Sequence, residues 1–239
     1  MLTIFVINLD GSTERLKKVG SELAKYALAF ERISAVDGRL MSLAQLQQHY
    51  CPQKNASNYY KALTAGEIGC YLSHRKVWQT IIERELTSAV ILEDDFLLSQ
   101  SIDDIVSFAQ SGTLYDYIKL SDHPGRSRKT RTLKTIGQSQ LVSFDKIPAR
   151  TCAQLVSAQG AKKLLQHSET FGRPVDIDLQ YWWEKDIEVL GLKPFAFMPA
   201  PDVKSDISAI QNRSGVKTHR LRRIHQQLSF KLNNVLRRR

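Results

Sequence analysis

One stretch, residues 88–96 with the sequence SAVILEDDF, constrains the fold of this chain more than any other. Small and apolar residues run directly into three adjacent carboxylates, those of Glu93, Asp94 and Asp95. This order is typical of a buried strand that ends at the edge of a sheet. Because ligands of open α/β sheets bind beyond the carboxyl ends of the strands, the sequence predicts a site at these acids.

Adjacent carboxylates repel one another and raise one another's pKa values unless a positive charge lies close to them. A hard divalent cation relieves the repulsion and joins carboxylates to the phosphates of a nucleotide. The cluster therefore favours a metal and nucleotide site. The alternative is a strand end followed by a helix N-terminus, where the helix dipole favours acidic side chains.

The surrounding pattern predicts one α/β domain, because 239 residues are enough for a sizeable core. Strands are expected at residues 3–9, 32–36, 115–120, 141–144 and 152–157. Helices are expected from residue 13 to about 30, and at 43–50, 64–85, 102–109 and 158–167. Residues 52–60 and the basic segment 121–135 are predicted to be loops. The second of these is either a lid or acceptor-binding loop, or a solvated charged loop.

Gly66 and Gly69 lie inside the helix predicted at 64–85, where glycine costs helix stability. Their presence predicts that another backbone or a ligand packs closely against the first turns of this helix.

Cysteine usage and hydropathy predict a cytoplasmic protein. The chain has three cysteines, an odd number without metal-site spacing, which suits free thiols in a reducing compartment. The apolar run near the N-terminus is too short for a secretory or membrane segment, and no other stretch is long enough to span a membrane.

The positive charge of the chain is concentrated in its last residues. Nine Lys and Arg residues and no acid follow Asp206, whereas the whole chain has a net charge of +10. We therefore predict a boundary between a domain at 1–210 and a basic tail at 211–239. Apolar residues recur on one face of a helix in this tail at Leu221, Ile224, Leu228, Leu232 and Val235.

The tail pattern is typical of a helix that lies on an anionic membrane, here the inner face of the inner membrane. A helix that docks on the body or on a second subunit, with a solvated basic face, is the alternative.

Several sequence blocks together resemble glycosyltransferase family 25, which includes bacterial lipooligosaccharide β-galactosyltransferases and collagen galactosyltransferases. The resemblance covers residues 3 to about 210. The blocks occur in order at residues 6–10 with Arg15, 32–38, 66–75 with Trp78, 91–95, 160–164 and 174–176. The resemblance implies a GT-A-like fold, meaning a Rossmann-like mixed sheet flanked by helices. It also implies a UDP-sugar donor, usually UDP-galactose, a divalent metal such as Mn²⁺ or Mg²⁺, and inversion at the anomeric carbon.

The same resemblance implies roles for individual residues. Residues 93–95 match the family's equivalent of the DxD motif, with Asp95 as the first choice of metal ligand and Glu93 next. A late metal ligand is expected from Asp206 or Asp202, or from water. The donor pocket is expected to include Asn8, Leu9, Arg15, Ala35, Asp37, Gly38, Ser73, Glu93 and Asp94.

An inverting transfer needs a carboxylate that removes the proton of the attacking hydroxyl group. Asp176, in the Pro-Val-Asp block, is the first choice for this base, and Asp178 is the second. The alternative role for Asp176 is a helix N-cap. The neighbouring Trp182 and Trp183 either stack on a sugar or pack in the core.

The expected acceptor is a lipooligosaccharide or other lipopolysaccharide glycan, or a glycolipid. Two other classes of protein remain as alternatives. A nucleic-acid-binding protein would explain the basic tail, but no reading motif is present, and we expect no nucleic acid partner. A catalytically silent family member would keep the fold as a binding module. The absence of a Gly-rich phosphate loop argues against a P-loop NTPase or a dinucleotide-binding enzyme.

Overall fold

The protein is built on a central mixed sheet with helices on both faces. The computed structural model describes residues 2–99, 102–111, 115–123, 128–200 and 216–237. The strands are β1 Thr3–Asn8, β2 Glu31–Ser34, β3 Ser88–Glu93, β4 Phe96–Leu98, β5 Tyr117–Lys119, β6 Thr130–Ile136, β7 Ser139–Phe144, β8 Ala153–Ser157, β9 Val189–Lys193 and β10 Phe197–Pro199. The helices are α1 Thr13–Ala24, α2 Leu43–His49, α3 Pro52–Asn58, α4 Ala65–Glu83, α5 Asp103–Gln110, α6 Ala158–Gln166, α7 Val175–Asp178 and α8 Arg220–Leu236.

Eight strands form the large sheet in the order β2-β1-β3-β8-β5-β9-β7-β6. Strand β1 pairs in parallel with both β2 and β3, so the carboxyl ends of these three strands meet at one edge. Strand β8 runs antiparallel between β3 and β5. The residues just before β8 therefore lie beside the carboxyl end of β3, at the edge where a site is expected.

Both faces of the sheet are covered, which explains why its inner strands have continuous apolar sequences. In β1, Phe5 and Ile7 pack on the side of α4 and α6, whereas Ile4 and Val6 pack on the side of α1 and α5. Strand β3 divides in the same way, with Ala89 and Ile91 on the first side and Val90 and Leu92 on the second. The mixed α/β architecture predicted from the sequence is confirmed.

Two local predictions were wrong, and one strand of the large sheet was not predicted. The segment predicted as a polar loop at 52–60 contains α3, whose first turn is capped by the Cys51 sulfur and begins with a proline. The segment predicted as a loop at 121–135 includes most of β6, which pairs antiparallel with β7. Strand β9, between β5 and β7, was not predicted at all.

Helix α8 packs against the body through aromatic and amide side chains. Phe230 is 7% exposed and lies against the rings of Tyr181 and Trp183, with centroid separations of 5.1 and 5.6 Å. Asn234 donates from Nδ2 to the carbonyl oxygen of Asp145 at 2.7 Å. The helix therefore docks on the body, as the alternative for the tail expects. It docks through the face that carries Phe230 and Asn234. The boundary predicted at residue 210 lies outside the described residues.

No described helix is both long enough and apolar enough to cross a membrane. Cys51, Cys70 and Cys152 are all free thiols.

Candidate active site

The acidic cluster lies at the carboxyl end of β3, beside the end of β1. Asn8, the last residue of β1, donates from Nδ2 to the Asp94 carboxylate at 2.7 Å. Arg15, in the first turns of α1, donates to the same carboxylate at 3.2 Å. Arg15 is placed unfavourably against the helix dipole, and the Asp94 carboxylate is the anion that offsets this. Asn8, Arg15 and Asp94, three residues expected in the donor pocket, are thus brought together.

Glu93 is bound by a network that reaches back into the core. Its Oε1 accepts from Thr151 Oγ1 at 2.5 Å and lies 3.0 Å from His74 Nε2. The Nδ1 atom of His74 lies 3.1 Å from the Gln154 amide nitrogen, and Tyr117 donates to the Gln154 amide oxygen. In this arrangement His74 donates to Glu93 from Nε2.

The network sets the charge state of Glu93. Burial raises the pKa of Glu93, but the hydrogen bonds from His74 and Thr151 and the charge of Lys119 outweigh it. The net pKa lies below the ordinary value, so Glu93 is held as a carboxylate.

The environment of Asp95 raises its pKa, whereas that of Glu93 lowers it. Its Oδ1 is buried and has no hydrogen-bond partner among the described residues. Burial, followed by the charges of Glu93 and Asp94, raises the pKa of Asp95 from 3.8 to about 6, although Arg150 and Arg15 act against this. A buried carboxylate oxygen without a partner is costly, and a hard cation would satisfy it. The donor set of Asp95 and Glu93 therefore fits a divalent metal.

A second group of possible metal ligands, Cys70, His74 and Glu93, has its ligand atoms within 4.8 Å of one another. It does not fit a metal as well. Burial, followed by the charges of neighbouring carboxylates, raises the pKa of the Cys70 thiol well above its usual range, so the thiol is protonated in the metal-free chain and a metal would have to displace its proton. The ring nitrogens of His74 already contact Gln154 and Glu93.

The loop after β2 packs directly on the first turns of α4. A Cβ at Gly69 would lie 2.5 Å from the Val36 carbonyl oxygen, and one at Gly38 would lie 1.9 Å from the Ala65 carbonyl oxygen. Ser73 accepts a hydrogen bond from the Val36 amide at 2.8 Å. The close backbone approach predicted from the glycines of this helix is confirmed at Gly69.

The remaining residues predicted for the donor pocket lie around this loop and the end of β1. The Ala35 amide donates to the Asn8 carbonyl oxygen at 3.0 Å. The Asp37 side chain accepts from the Arg39 amide at 3.0 Å and caps a short 3-10 helix at Gly38–Leu40. Leu9 is partly buried, and its carbonyl oxygen accepts from the Ser12 amide at 2.9 Å.

Asp176 and Asp178 have different environments, although they lie two residues apart on α7. Asp176 is partly exposed, and its carboxylate accepts from the backbone amides of Arg150 at 3.2 Å and Ile177 at 2.8 Å. Pro174, and not Asp176, occupies the N-cap position of α7. The negative charges of Asp176 and Glu93 both act to raise the pKa values of Cys70, Tyr117 and Lys119. The two carboxylates therefore lie around one region.

Asp178 is buried and paired with two cations. It lies 3.0 Å from both Arg173 and Lys185, and it accepts from the Tyr71 hydroxyl at 2.6 Å. Burial raises the pKa of Asp178, but Lys185, Arg173 and the Tyr71 hydrogen bond lower it to a net value below the ordinary one. A carboxylate stabilised in this way is a weak base, so the geometry favours Asp176 for proton transfer.

Lys119 holds the loop that precedes β8. Its ammonium group is buried and donates to the carbonyl oxygens of Pro148 at 3.1 Å, Ala149 at 3.3 Å and Arg150. Burial lowers the pKa of Lys119 to about 8, although Asp176, Asp122 and Glu93 act to raise it. This loop supplies the Arg150 amide to Asp176 and Thr151 to Glu93.

The sequence alone predicted no site role for Thr151, Gln154 or Lys119. His74 is buried in α4, and its partner is Glu93. No local pattern marks Thr151 and Gln154, because the antiparallel pairing of β3 with β8 brings them near the acids, and Lys119 follows through the pairing of β5 with β8. Asp202 and Asp206 lie outside the described residues. The preceding Ala200 donates from its amide to the Asp95 carbonyl oxygen at 2.7 Å.

The mixed sheet, the carboxylate cluster at the end of a parallel strand and the separate carboxylate of Asp176 agree with the class of enzyme that the sequence blocks resemble, the glycosyltransferases. The chain belongs to glycosyltransferase family 25. The family model, described as "Glycosyltransferase family 25 (LPS biosynthesis protein)", matches residues 1–179. The resemblance found in the sequence is therefore confirmed.

Curated relatives include animal members of the family. A glycosyltransferase 25 family member of Drosophila pseudoobscura pseudoobscura is 30% identical over 171 residues, which cover 68% of this chain and 26% of that protein. Procollagen galactosyltransferase 2 of Homo sapiens is 26% identical over 224 residues, with coverages of 82% and 34%. Inactive glycosyltransferase 25 family member 3 of Mus musculus is 25% identical over 230 residues, with coverages of 82% and 36%. The matched region thus spans about a quarter to a third of these relatives.

A solved structure, of a glycosyltransferase involved in the glycosylation of the major capsid of PBCV-1, aligns over 95% of this chain and 98% of its own. The TM-score is 0.47 and the sequence identity is 12%, a level of similarity from which no residue role is transferred.

Proposed function

We propose that this chain is an inverting, metal-dependent galactosyltransferase that uses UDP-galactose and a lipooligosaccharide or other lipopolysaccharide glycan as acceptor. The observation that carries the proposal is the pairing of two kinds of carboxylate at one edge of the sheet. Asp95 has a buried oxygen without a partner, whereas Asp176 is partly exposed and held by backbone amides. The first suits a metal that binds the donor, and the second suits a base.

The donor is expected to bind along the ends of β1 and β3 and over the loop after β2. Gly38 and Gly69 let this loop lie against α4 without a side chain between them. Asn8 and Arg15 fix the Asp94 carboxylate, which leaves it oriented for a polar group of the nucleotide. Ala35 and Asp37 are expected to line this side, whereas Ser73 is buried and holds the loop through the hydrogen bond that it accepts from the Val36 amide.

Asp95 and Glu93 are the residues that would hold Mn²⁺ or Mg²⁺, with Asp206 or Asp202 as the proposed late ligand. Bound there, such an ion would supply Lewis-acid stabilisation of the negative charge on the departing diphosphate. Glu93 is kept ionised by His74 and Thr151, so one charged ligand is present before any metal binds.

Asp176 is the proposed general base. It removes the proton of the acceptor hydroxyl as that oxygen forms a bond to the anomeric carbon of the donor sugar. The bond between this carbon and the diphosphate oxygen breaks at the same time, and UDP leaves with the electron pair. Attack opposite the leaving group inverts the configuration. Hydrogen bonds from Arg150 and Ile177 orient the carboxylate without neutralising it.

A groove lined by Ile177, the neighbour of Asp176 in sequence, is the proposed acceptor site. It has a volume of about 640 Å³ and runs between α8 and the body. The rings of Tyr60 and Tyr181 line it together with the cations Lys146 and Arg223. Aromatic faces pack on sugar rings, and cations suit the phosphates that lipopolysaccharide glycans carry.

The test compares Asp176→Asn with Asp186→Asn, a matched control whose side chain is 83% exposed. Galactose transfer to a lipooligosaccharide acceptor would be measured with Mn²⁺ and with EDTA, over a panel of UDP-sugars. We expect Asp176→Asn to lower kcat by about 10²- to 10⁴-fold while UDP and Mn²⁺ still bind in calorimetry. We expect Asp186→Asn to act as wild type. Wild-type turnover in Asp176→Asn would refute the base, and loss of UDP binding would move Asp176 to the donor site.

A catalytically silent protein is the second candidate, because one relative is named as inactive. This candidate predicts that UDP-galactose binds in calorimetry but is neither transferred nor hydrolysed, with or without Mn²⁺. Transfer or hydrolysis that EDTA abolishes would exclude it.

A further inference from the structure

The exposed face of α8 is apolar, and the face that docks on the body is largely polar. Five side chains form what we call the leucine stripe: Leu221, Ile224, Leu228, Leu232 and Val235. Their exposed fractions lie between 54 and 83%. A helix on a soluble domain normally turns such a stripe towards the core. Here the arrangement is inverted, so more than half of each stripe side chain is exposed in the described part of the chain.

The docked face is fixed by specific contacts on the other side of the helix. Gln226, Phe230 and Asn234 are spaced by four residues and lie about 160° around the axis from the centre of the stripe. Gln226 donates to the Tyr181 hydroxyl at 3.2 Å, and Asn234 donates to the Asp145 carbonyl oxygen at 2.7 Å. Phe230 contacts Tyr181 and Trp183, with Lys146 Nζ 5.0 Å from its ring centroid. The helix cannot turn its stripe inward without losing all of these contacts.

Positive charges flank the stripe. Arg220 and Lys231 lie about 60–80° from its centre on one side, and Arg222 lies about 120° away on the other. All three side chains are exposed, and α8 contains no acidic residue. Long basic side chains at these angles can reach past an apolar stripe towards a charged surface.

These charges distinguish between two possible occupants of the stripe. A second copy of α8 would bring Arg220, Arg222 and Lys231 close to the same cations, with no acid on either helix to pair with them. An anionic surface pairs with every one of them. An anionic bilayer also accepts the leucine side chains at its headgroup boundary.

We propose that α8 binds the surface of an anionic lipid bilayer through the leucine stripe while its opposite face stays docked on the body. The helix lies parallel to the membrane plane, and its 17 residues give a contact about 25 Å long. The groove between α8 and the body is then held beside the membrane, where a lipid-linked acceptor is located. For a bacterial enzyme, this is the cytoplasmic face of the inner membrane.

The experiment is cosedimentation of the full chain with vesicles of phosphatidylcholine alone or with phosphatidylglycerol added, at low and at high salt. We expect binding to the anionic vesicles only, weakened by salt because the charges are exposed. Replacing Arg220, Arg222 and Lys231 by Gln is expected to lower the partition coefficient by on the order of 100-fold at low salt. The pair Leu221→Gln and Leu228→Gln is expected to lower it at least tenfold.

The matched control is Leu43→Gln with Leu133→Gln, two leucines of the body that are 77% and 46% exposed. It should bind vesicles as wild type does. The replaced stripe residues are exposed, so the variants should keep the wild-type Tm. The proposal is overturned if the full chain fails to sediment with anionic vesicles at low salt, or if the stripe variant binds as wild type. A wild-type dimer that the stripe variant converts to monomer, without vesicle binding in either, would assign the stripe to a second copy. No sugar transfer is measured, so the result is independent of the proposed reaction.

Discussion

Asp95 and Glu93 are two residues apart, yet their replacement should change stability in opposite directions. The pKa of Asp95 is raised from 3.8 to about 6, so its ionised form destabilises the folded protein in the absence of metal. This difference corresponds to at most about 3 kcal/mol at neutral pH, and partial exposure and the shared titration of the cluster reduce it. We expect Asp95→Asn to raise the free energy of unfolding by about 1–3 kcal/mol at pH 8 in EDTA. For a chain of this length, the corresponding rise in Tm is about 2–10 °C.

The pH dependence follows from the sign of the shift. Below pH 3.8 the Asp95 carboxyl is protonated in both the folded and the unfolded chain, so the replacement changes little there. The gain from Asp95→Asn should develop between about pH 4 and 6 and stay constant above that range. Denaturant unfolding of both proteins, measured from pH 4 to 8 in EDTA, tests this. A variant no more stable than wild type at pH 8, or equally stabilised at pH 4, would refute the reasoning.

Glu93→Gln is the matched contrast. The pKa of Glu93 is lowered in the folded state, so its ionised form contributes stability that is present above its ordinary pKa and is lost as pH falls. We expect this variant to be less stable than wild type at pH 8 and to approach it in acid. Added Mn²⁺ should raise the free energy of unfolding of wild type above that of Asp95→Asn, because a ligand that binds the folded protein stabilises it.

Two further predictions concern backbone packing and a buried ion pair. Gly69→Ala should destabilise the protein by about 1–3 kcal/mol and weaken UDP binding in calorimetry, because its Cβ would meet the Val36 carbonyl oxygen at 2.5 Å; wild-type affinity and stability would contradict this. Asp178→Asn should cost about 3–5 kcal/mol at pH 7 in denaturant unfolding, since Arg173 and Lys185 lose their buried partner. The pKa of Asp178 is lowered, so this cost should shrink as pH falls below the ordinary value of 3.8; a cost independent of pH would point to packing alone.

The parts of the fold that the sequence predicted are those with a continuous or periodic apolar pattern. Strand β3 was recognised because both faces of the sheet are covered and its residues are apolar on each side. Helix α3 was missed because it has no apolar face. Its place is fixed by Asn55, which donates 2.7 Å hydrogen bonds to the carbonyl oxygens of Lys61 and Gly172, the second far along the chain.

Candidate site residues were predicted where the sequence around them marks the end of a strand or helix. They were missed where the pairing of distant strands brings them to the site. The acids 93–95 and their partner Arg15 follow from strand and helix ends near one another. Thr151 reaches Glu93 only through the register of β3 with β8, which no local pattern specifies. The same holds for the tail. The periodic apolar residues predicted the leucine stripe, but no local pattern predicted that the helix docks on the body through Phe230.

The insertion of β8 beside β3 has a consequence for the chain during synthesis. Until residues 153–157 have emerged, β3 is an open edge of a sheet, with four buried apolar residues at Ala89–Leu92 and unpaired backbone groups along one side. An exposed, hydrophobic edge strand is a template for aggregation. A nascent chain in which β3 has emerged and residues 153–157 have not therefore exposes the strand that carries the acidic cluster to intermolecular pairing, and the pairing of β8 removes that open edge.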